Sequence, residues 1–173
     1  MRRKYLALLS GLLLVLVLSG FFVAAYGETD SDKRPRIEVG DVLKLKSLRG
    51  LAVEFDRGED SQREVLKAGV ALRVEVAEIK GSRLSFKVLD GYIKIGEDMY
   101  SVEEGRGHAV LGKFGWLGVG GNASNEGSEY RFYLEGMLHI ESPGLVVAGL
   151  TGVFRDDGES YRLRIMVKIV KSE

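Results

Sequence analysis

Apolar residues fall at every second position through much of the C-terminal half of this chain. Tyr130, Phe132, Leu134, Gly136, Leu138 and Ile140 share one face, while Arg131, Tyr133, Glu135, Met137, His139 and Glu141 share the other. Tyr161, Leu163, Ile165, Val167 and Ile169 repeat the arrangement against Arg162, Arg164, Met166 and Lys168. Successive side chains of extended backbone point to opposite sides, so this period predicts strands with one face in a core and one in water. Between the two, Leu145 to Phe154 is apolar on both faces, as in a strand covered on two sides. Ser142-Pro143-Gly144 and Asp156-Asp157-Gly158 supply turns. The C-terminal third therefore reads as an antiparallel meander. Phe132, Leu134, Leu150, Phe154, Leu163 and Ile165 should enter one core, with Arg131, Glu135, Arg162 and Arg164 facing solvent.

Upstream, strands are expected at Ile37–Lys46, Leu51–Asp56, Val70–Ile79, Arg83–Leu89, Tyr92–Ile95, Met99–Val102 and His108–Phe114, most of them separated by Gly-containing turns. One short helix interrupts them. Ser61-Gln62-Arg63-Glu64 has capping-box spacing, in which a Ser hydroxyl and a Glu carboxylate satisfy free backbone donors reciprocally, and Gly69 stands where a helix stops. Asn125-Glu126-Gly127-Ser128-Glu129-Tyr130 resembles Asp156-Asp157-Gly158-Glu159-Ser160-Tyr161, an acidic-Gly turn leading into an aromatic strand, on which hairpins converge. The fold class expected is all-β with one short helix: an antiparallel β-barrel or a two-sheet sandwich of about ten strands.

An N-terminal apolar helix precedes this domain. Arg2, Arg3 and Lys4 are followed by an uncharged run from Tyr5 to Tyr26. A basic cap before an apolar segment threads a chain into a membrane with its N-terminus left in the cytoplasm. Leu6 to Ala25 is 20 residues long; at about 1.5 Å per residue it spans the ~30 Å hydrocarbon core, as an uncleaved anchor would. Ala25-Tyr26-Gly27, with small residues where a signal peptidase reads, equally fits cleavage before Glu28. Residues 1–27 are thus a signal peptide or membrane anchor, 28–36 a polar linker, and 37–173 a β-rich extracytoplasmic domain. The protein is expected to be exported, either extracellular or anchored in the cell membrane with its C-terminal domain outside.

Composition adds exclusions. The chain of 173 residues has 25 basic and 25 acidic side chains. Six of the basic and three of the acidic residues lie in the first 36, which leaves 19 against 22 and a net charge of −3 in the remainder. Nucleic-acid-binding domains carry a basic surplus, so nucleic acid is not an expected partner. Without cysteine there is neither a disulfide framework nor a thiolate metal site.

Candidate chemistry is sparse. His108 and His139 are the only histidines, neither at ligand spacing from another, and no G-x-S-x-G elbow accompanies them. Acid pairs at Glu54/Asp56, Glu59/Asp60, Glu97/Asp98, Glu103/Glu104 and Asp156/Asp157 sit at or near expected turns, where acids are favoured for solvation. No catalytic residue, metal ligand or cofactor is assigned. Gly115 to Gly127 is read as a glycine-rich loop whose apolar first half, Phe114, Trp116, Leu117 and Val119, either packs under the sheet or forms an exposed contact for a partner. Asn122-Ala123-Ser124 in the same stretch is a glycosylation acceptor pattern at Asn122.

The series Val39-Gly40-Asp41-Val42, Leu89-Asp90-Gly91-Tyr92 and Tyr100-Ser101-Val102-Glu103-Glu104-Gly105-Arg106-Gly107 resembles uncharacterised exported β-rich proteins of archaea. That resemblance implies no activity and no site residues. The function expected is that of a cell-surface or secreted domain acting as a binding or envelope structural component. Its partners would be an envelope protein or glycan, and the membrane itself if the N-terminal segment is uncleaved. The alternatives are a barrel enclosing a small apolar ligand and a carboxylate-dependent glycan hydrolase.

Overall fold

The computed structural model describes residues 37–54, 64–112, 115–142, 145–155 and 160–172. The apolar segment Leu6–Ala25 and the linker 28–36 lie outside the described residues, as do Ser61–Arg63 and the turn residues Pro143, Gly144 and Asp156–Glu159. The described chain forms β1 (Val42–Glu54), β2 (Val65–Lys80), β3 (Arg83–Ile95), β4 (Asp98–Val110), β5 (Gly115–Asn125), β6 (Ser128–Ser142), β7 (Leu145–Arg155) and β8 (Ser160–Lys171). Each strand pairs antiparallel with its sequence neighbour, and β8 closes on β1 from Leu43↔Lys171 to Glu54↔Tyr161. The result is a closed up-and-down barrel of eight strands. Closure leaves no strand edge with unpaired backbone groups.

Eight long strands replace the ten shorter ones because several glycines mark bends within strands rather than turns between them. The expected strands Ile37–Lys46 and Leu51–Asp56 meet in one strand, β1, described over Val42–Glu54, with register shifts between Lys46 and Leu51. Arg83–Leu89 and Tyr92–Ile95 join as β3 through an irregularity at Leu89-Asp90, followed by Gly91 at φ 155°. A Cβ at Gly91 would run into the Ala71 carbonyl oxygen, so this passage requires glycine. Met99–Val102 and the start of the expected His108–Phe114 join as β4, which ends at Val110; in it Glu104 pairs with Asn122 and Glu103 is the extra, bulged residue.

The expected helix is corrected. Val65–Gly69 belongs to β2, with Val65 opposite Val53 and Ala68 opposite Ile95. Leu66 and Ala68 extend the inward series Val70, Leu72, Val74 and Val76, so alternation reaches back to the start of β2. Pairing on both sides outweighs a local capping signal that lacks a helical apolar stripe.

The buried side chains are apolar throughout the described residues. Phe132, Leu134, Leu150, Phe154, Leu163 and Ile165 all lie in the core, and Arg131, Glu135, Arg162 and Arg164 are exposed on the outside. Ala52, Val74, Ile93, Leu134, Ala148, Phe154, Leu163 and Val167 expose essentially no surface, either to bulk water or to an internal void. These residues come from β1, β2, β3, β6, β7 and β8, so the middle of the barrel is filled. Eight strands enclose a bore that side chains can fill. At the end carrying the β3–β4 and β5–β6 turns, Tyr100, Tyr130 and Phe154 pack ring to ring, with centroids 4.6–5.0 Å apart. At the other end, Asp41 Oδ2 accepts from the Glu38 amide and from Lys171 Nζ, both at 2.8 Å, which ties the start of β1 to the end of β8.

Candidate functional site

With the inward face apolar, groups able to make polar contacts stand on the turns and the outer wall. Among the described residues no three His, Cys, Asp or Glu side chains gather in one place, and no buried side chain is polar or charged. Glu97 and Asp98 are exposed at the β3–β4 turn. Glu103 and Glu104 are not at a turn: they stand on the outer wall of β4, where they accept from Ser124 Oγ at 3.2 Å and Asn122 Nδ2 at 3.4 Å. Their bonds bridge β4 to β5 across the bulge. Glu59, Asp60, Asp156 and Asp157 lie outside the described residues.

His139 is exposed on the outer face of β6, and His108 is exposed on β4 with its ring tilted against Trp116 at 4.9 Å. The stretch expected as a glycine-rich loop is strand β5, which is a correction. Its alternation is hidden because Gly118, Gly120 and Gly121 stand where larger side chains would display a period of two. Leu117 and Val119 point inward and are buried, so they offer nothing to a partner from outside. Trp116 lies half-buried on the outer wall with its ring over Gly118. Phe114 lies outside the described residues. Asn122 is exposed on the outer wall of β5 between Glu104 and Arg131.

One feature of the outer wall had no counterpart in the sequence reading. Tyr133, Glu135, Thr151, Gly152, Val153, Arg162 and Arg164 line a depression of about 380 Å³ open to solvent across β6, β7 and β8. The register places these residues side by side. Tyr133 stands opposite Val153, which stands opposite Arg162; Glu135 stands opposite Thr151, which stands opposite Arg164. Gly120 on β5 has no side chain to oppose Tyr133, whose ring leans over it. The Tyr133 hydroxyl donates to Glu135 Oε2 at 3.0 Å. Loss of hydration against the wall, helped by that carboxylate, raises the phenol above its ordinary pKa. Tyr133 thus stays neutral, a fixed donor with an aromatic surface 42% exposed.

Among the described residues, positive charge at this place is only partly compensated. Arg131 and Arg155 stand directly opposite each other across β6 and β7, one row beyond Tyr133 and Val153. Neither these two nor Arg164 makes an ion pair among the described residues. The site was hidden from sequence because it depends on the register of strands that are neighbours only after folding. Arg131, Arg162 and Arg164 were identifiable as outward-facing, but not as one group with Tyr133. Comparison with protein-family models, with curated proteins and with solved structures yields no match.

Proposed function

We propose that the chain is an exported β-barrel of the cell surface or extracellular space that acts as a binding or envelope component through its outer wall. The observation that carries this reading is the filled interior. Ala52, Leu134, Ala148 and Leu163 expose essentially no surface, so contact with another molecule falls to the outside. The N-terminal sequence supports export, with Arg2, Arg3 and Lys4 ahead of the apolar run. The outer wall supports a watery setting for the barrel itself. Lys44, Arg73, Lys87, Arg106, Glu135, Arg155 and Arg164 are all exposed, on seven of the eight strands. A wall facing lipid would be an apolar band, where each Lys or Arg near the bilayer centre costs about 2–4 kcal/mol.

Because the chain contains no cysteine, one introduced thiol is a unique reporter. A membrane-impermeant maleimide should label Thr151→Cys on intact cells, and more slowly than in the purified protein, because a partner shields the wall. Labelling only after lysis would refute export. Equal rates on cells and in solution would refute contact through this wall. Intact-mass analysis of the same material should find a chain starting near Glu28 or one retaining Leu6–Ala25; full-length protein free in the cytoplasm would contradict both.

A further inference from the structure

We propose that the depression across β6–β8 binds a carboxylated sugar unit of an acidic polysaccharide, with Arg164 taking the carboxylate and Tyr133 lying against the sugar ring. The inference rests on the outer-wall reading and names what that wall holds. A guanidinium presents paired N–H donors that match a carboxylate in two parallel hydrogen bonds. Arg164 makes no ion pair among the described residues, so binding need not break one. Tyr133 is held in place by its bond to Glu135 and by its lean over Gly120. An aromatic ring so fixed offers a flat apolar surface to the C–H face of a pyranose at little entropic cost. The Thr151 hydroxyl and the remaining lone pairs of Glu135 line the same depression and can bond sugar hydroxyls. The volume, about 380 Å³, falls in the range of small-ligand sites.

Two observations favour a sugar chain over an acidic peptide and over a single sugar. An extended peptide is commonly held by adding a strand to a sheet edge, and the closed barrel has no edge to offer. Along β7 the Arg155 position lies four residues from Thr151, which at two residues per row of one face is about 13 Å. The Arg131–Arg155 pair therefore supplies a second anionic subsite along the same wall, suited to a polymer with recurring carboxylates.

The test uses the full-length chain in detergent, with polygalacturonate as probe, neutral dextran and poly-glutamate as comparators, and affinity electrophoresis as readout. Polygalacturonate should bind, with affinity falling as salt rises, and dextran and poly-glutamate should not. Arg164→Ala and Tyr133→Ala should each weaken binding by about tenfold or more, as expected for loss of one charge-assisted contact or one stacking surface. Arg164→Lys should recover only part, because it restores charge without the fork. Lys87→Ala, on the opposite wall, should bind as the parent does. Polygalacturonate binding indifferent to Arg164 and Tyr133 would overturn the assignment. Equal binding of poly-glutamate with the same dependence on Arg164 would overturn the sugar in favour of an acidic peptide. If no polymer binds while Thr151→Cys is still shielded on cells, this inference fails and the outer-wall reading stands; if neither occurs, both fail.

Discussion

Phe154 stands on β7 with no exposed surface, its ring 4.6 Å from that of Tyr100 and 5.0 Å from that of Tyr130. Phe154→Ala removes the ring and leaves a void between two aromatic partners. Strands hydrogen-bonded on both sides have little freedom to move inward and fill it. Core Phe→Ala changes cost about 3–5 kcal/mol, from lost transfer energy plus the cavity, and a site that relaxes poorly belongs in the upper half of that range. Against a typical domain stability of about 5–15 kcal/mol, that is a quarter or more of the total. Urea denaturation should show the midpoint falling with the slope unchanged, since the same surface is exposed on unfolding. Arg164→Ala, on the exposed wall, should stay within about 0.5 kcal/mol of the parent. A loss below about 1 kcal/mol for Phe154→Ala, or equal losses for the two variants, would refute the assignment of inside and outside.

Two further predictions concern positions where the chain is constrained. Gly136→Ala should destabilise by about 1–3 kcal/mol, because its Cβ would meet the Gly149 carbonyl oxygen across the β6–β7 pair. Gly149→Ala has open space and should be neutral or slightly stabilising, so equal losses in thermal melts would contradict the packing. Asp41 is held below the ordinary carboxylate pKa, first by its bond from Lys171 and then by the Glu38 amide. A carboxyl whose folded pKa is depressed contributes stability above its unfolded-state pKa and loses it as pH falls through the lower, folded value. Asp41→Asn should therefore melt below the parent at neutral pH, with the gap closing in strong acid. A gap that persists or widens there would refute the linkage.

β6 and β8 of the C-terminal meander were legible because their alternation is uninterrupted. Phe132 and Leu134 on β6 and Leu163 and Ile165 on β8 are buried where a period of two places them, and Arg131 and Arg164 are outside. The N-terminal half was harder to read because bulges and glycines break the period without ending the strand, as at Leu89-Asp90-Gly91 and at Glu103. β5 reads as a loop for a related reason: Trp116, Gly118 and Gly120, the outward positions of its first half, carry no polar marks, and these begin only at Asn122. In the barrel those glycines accommodate the rings of Trp116 and Tyr133, a relation set by packing rather than by local propensity. The depression on the wall is a further step removed, since Tyr133, Thr151 and Arg164 meet only through two registers.

The claim that the interior is filled and the outer wall does the work is tested most directly by comparing thiol reactivity at Ala148→Cys and Thr151→Cys in the purified, folded protein. Ala148 exposes essentially no surface inside the barrel, and Thr151 is exposed on the same strand three residues away. Thr151→Cys should react at nearly the rate of a free thiol. Ala148→Cys should stay unreactive until denaturant unfolds the barrel, its rate tracking the population of the open state. Rapid reaction of Ala148→Cys in the native protein, at a melting temperature close to that of the parent, would mean a hollow or open interior. That result would return the inside of the barrel, rather than its wall, as the place where a ligand binds.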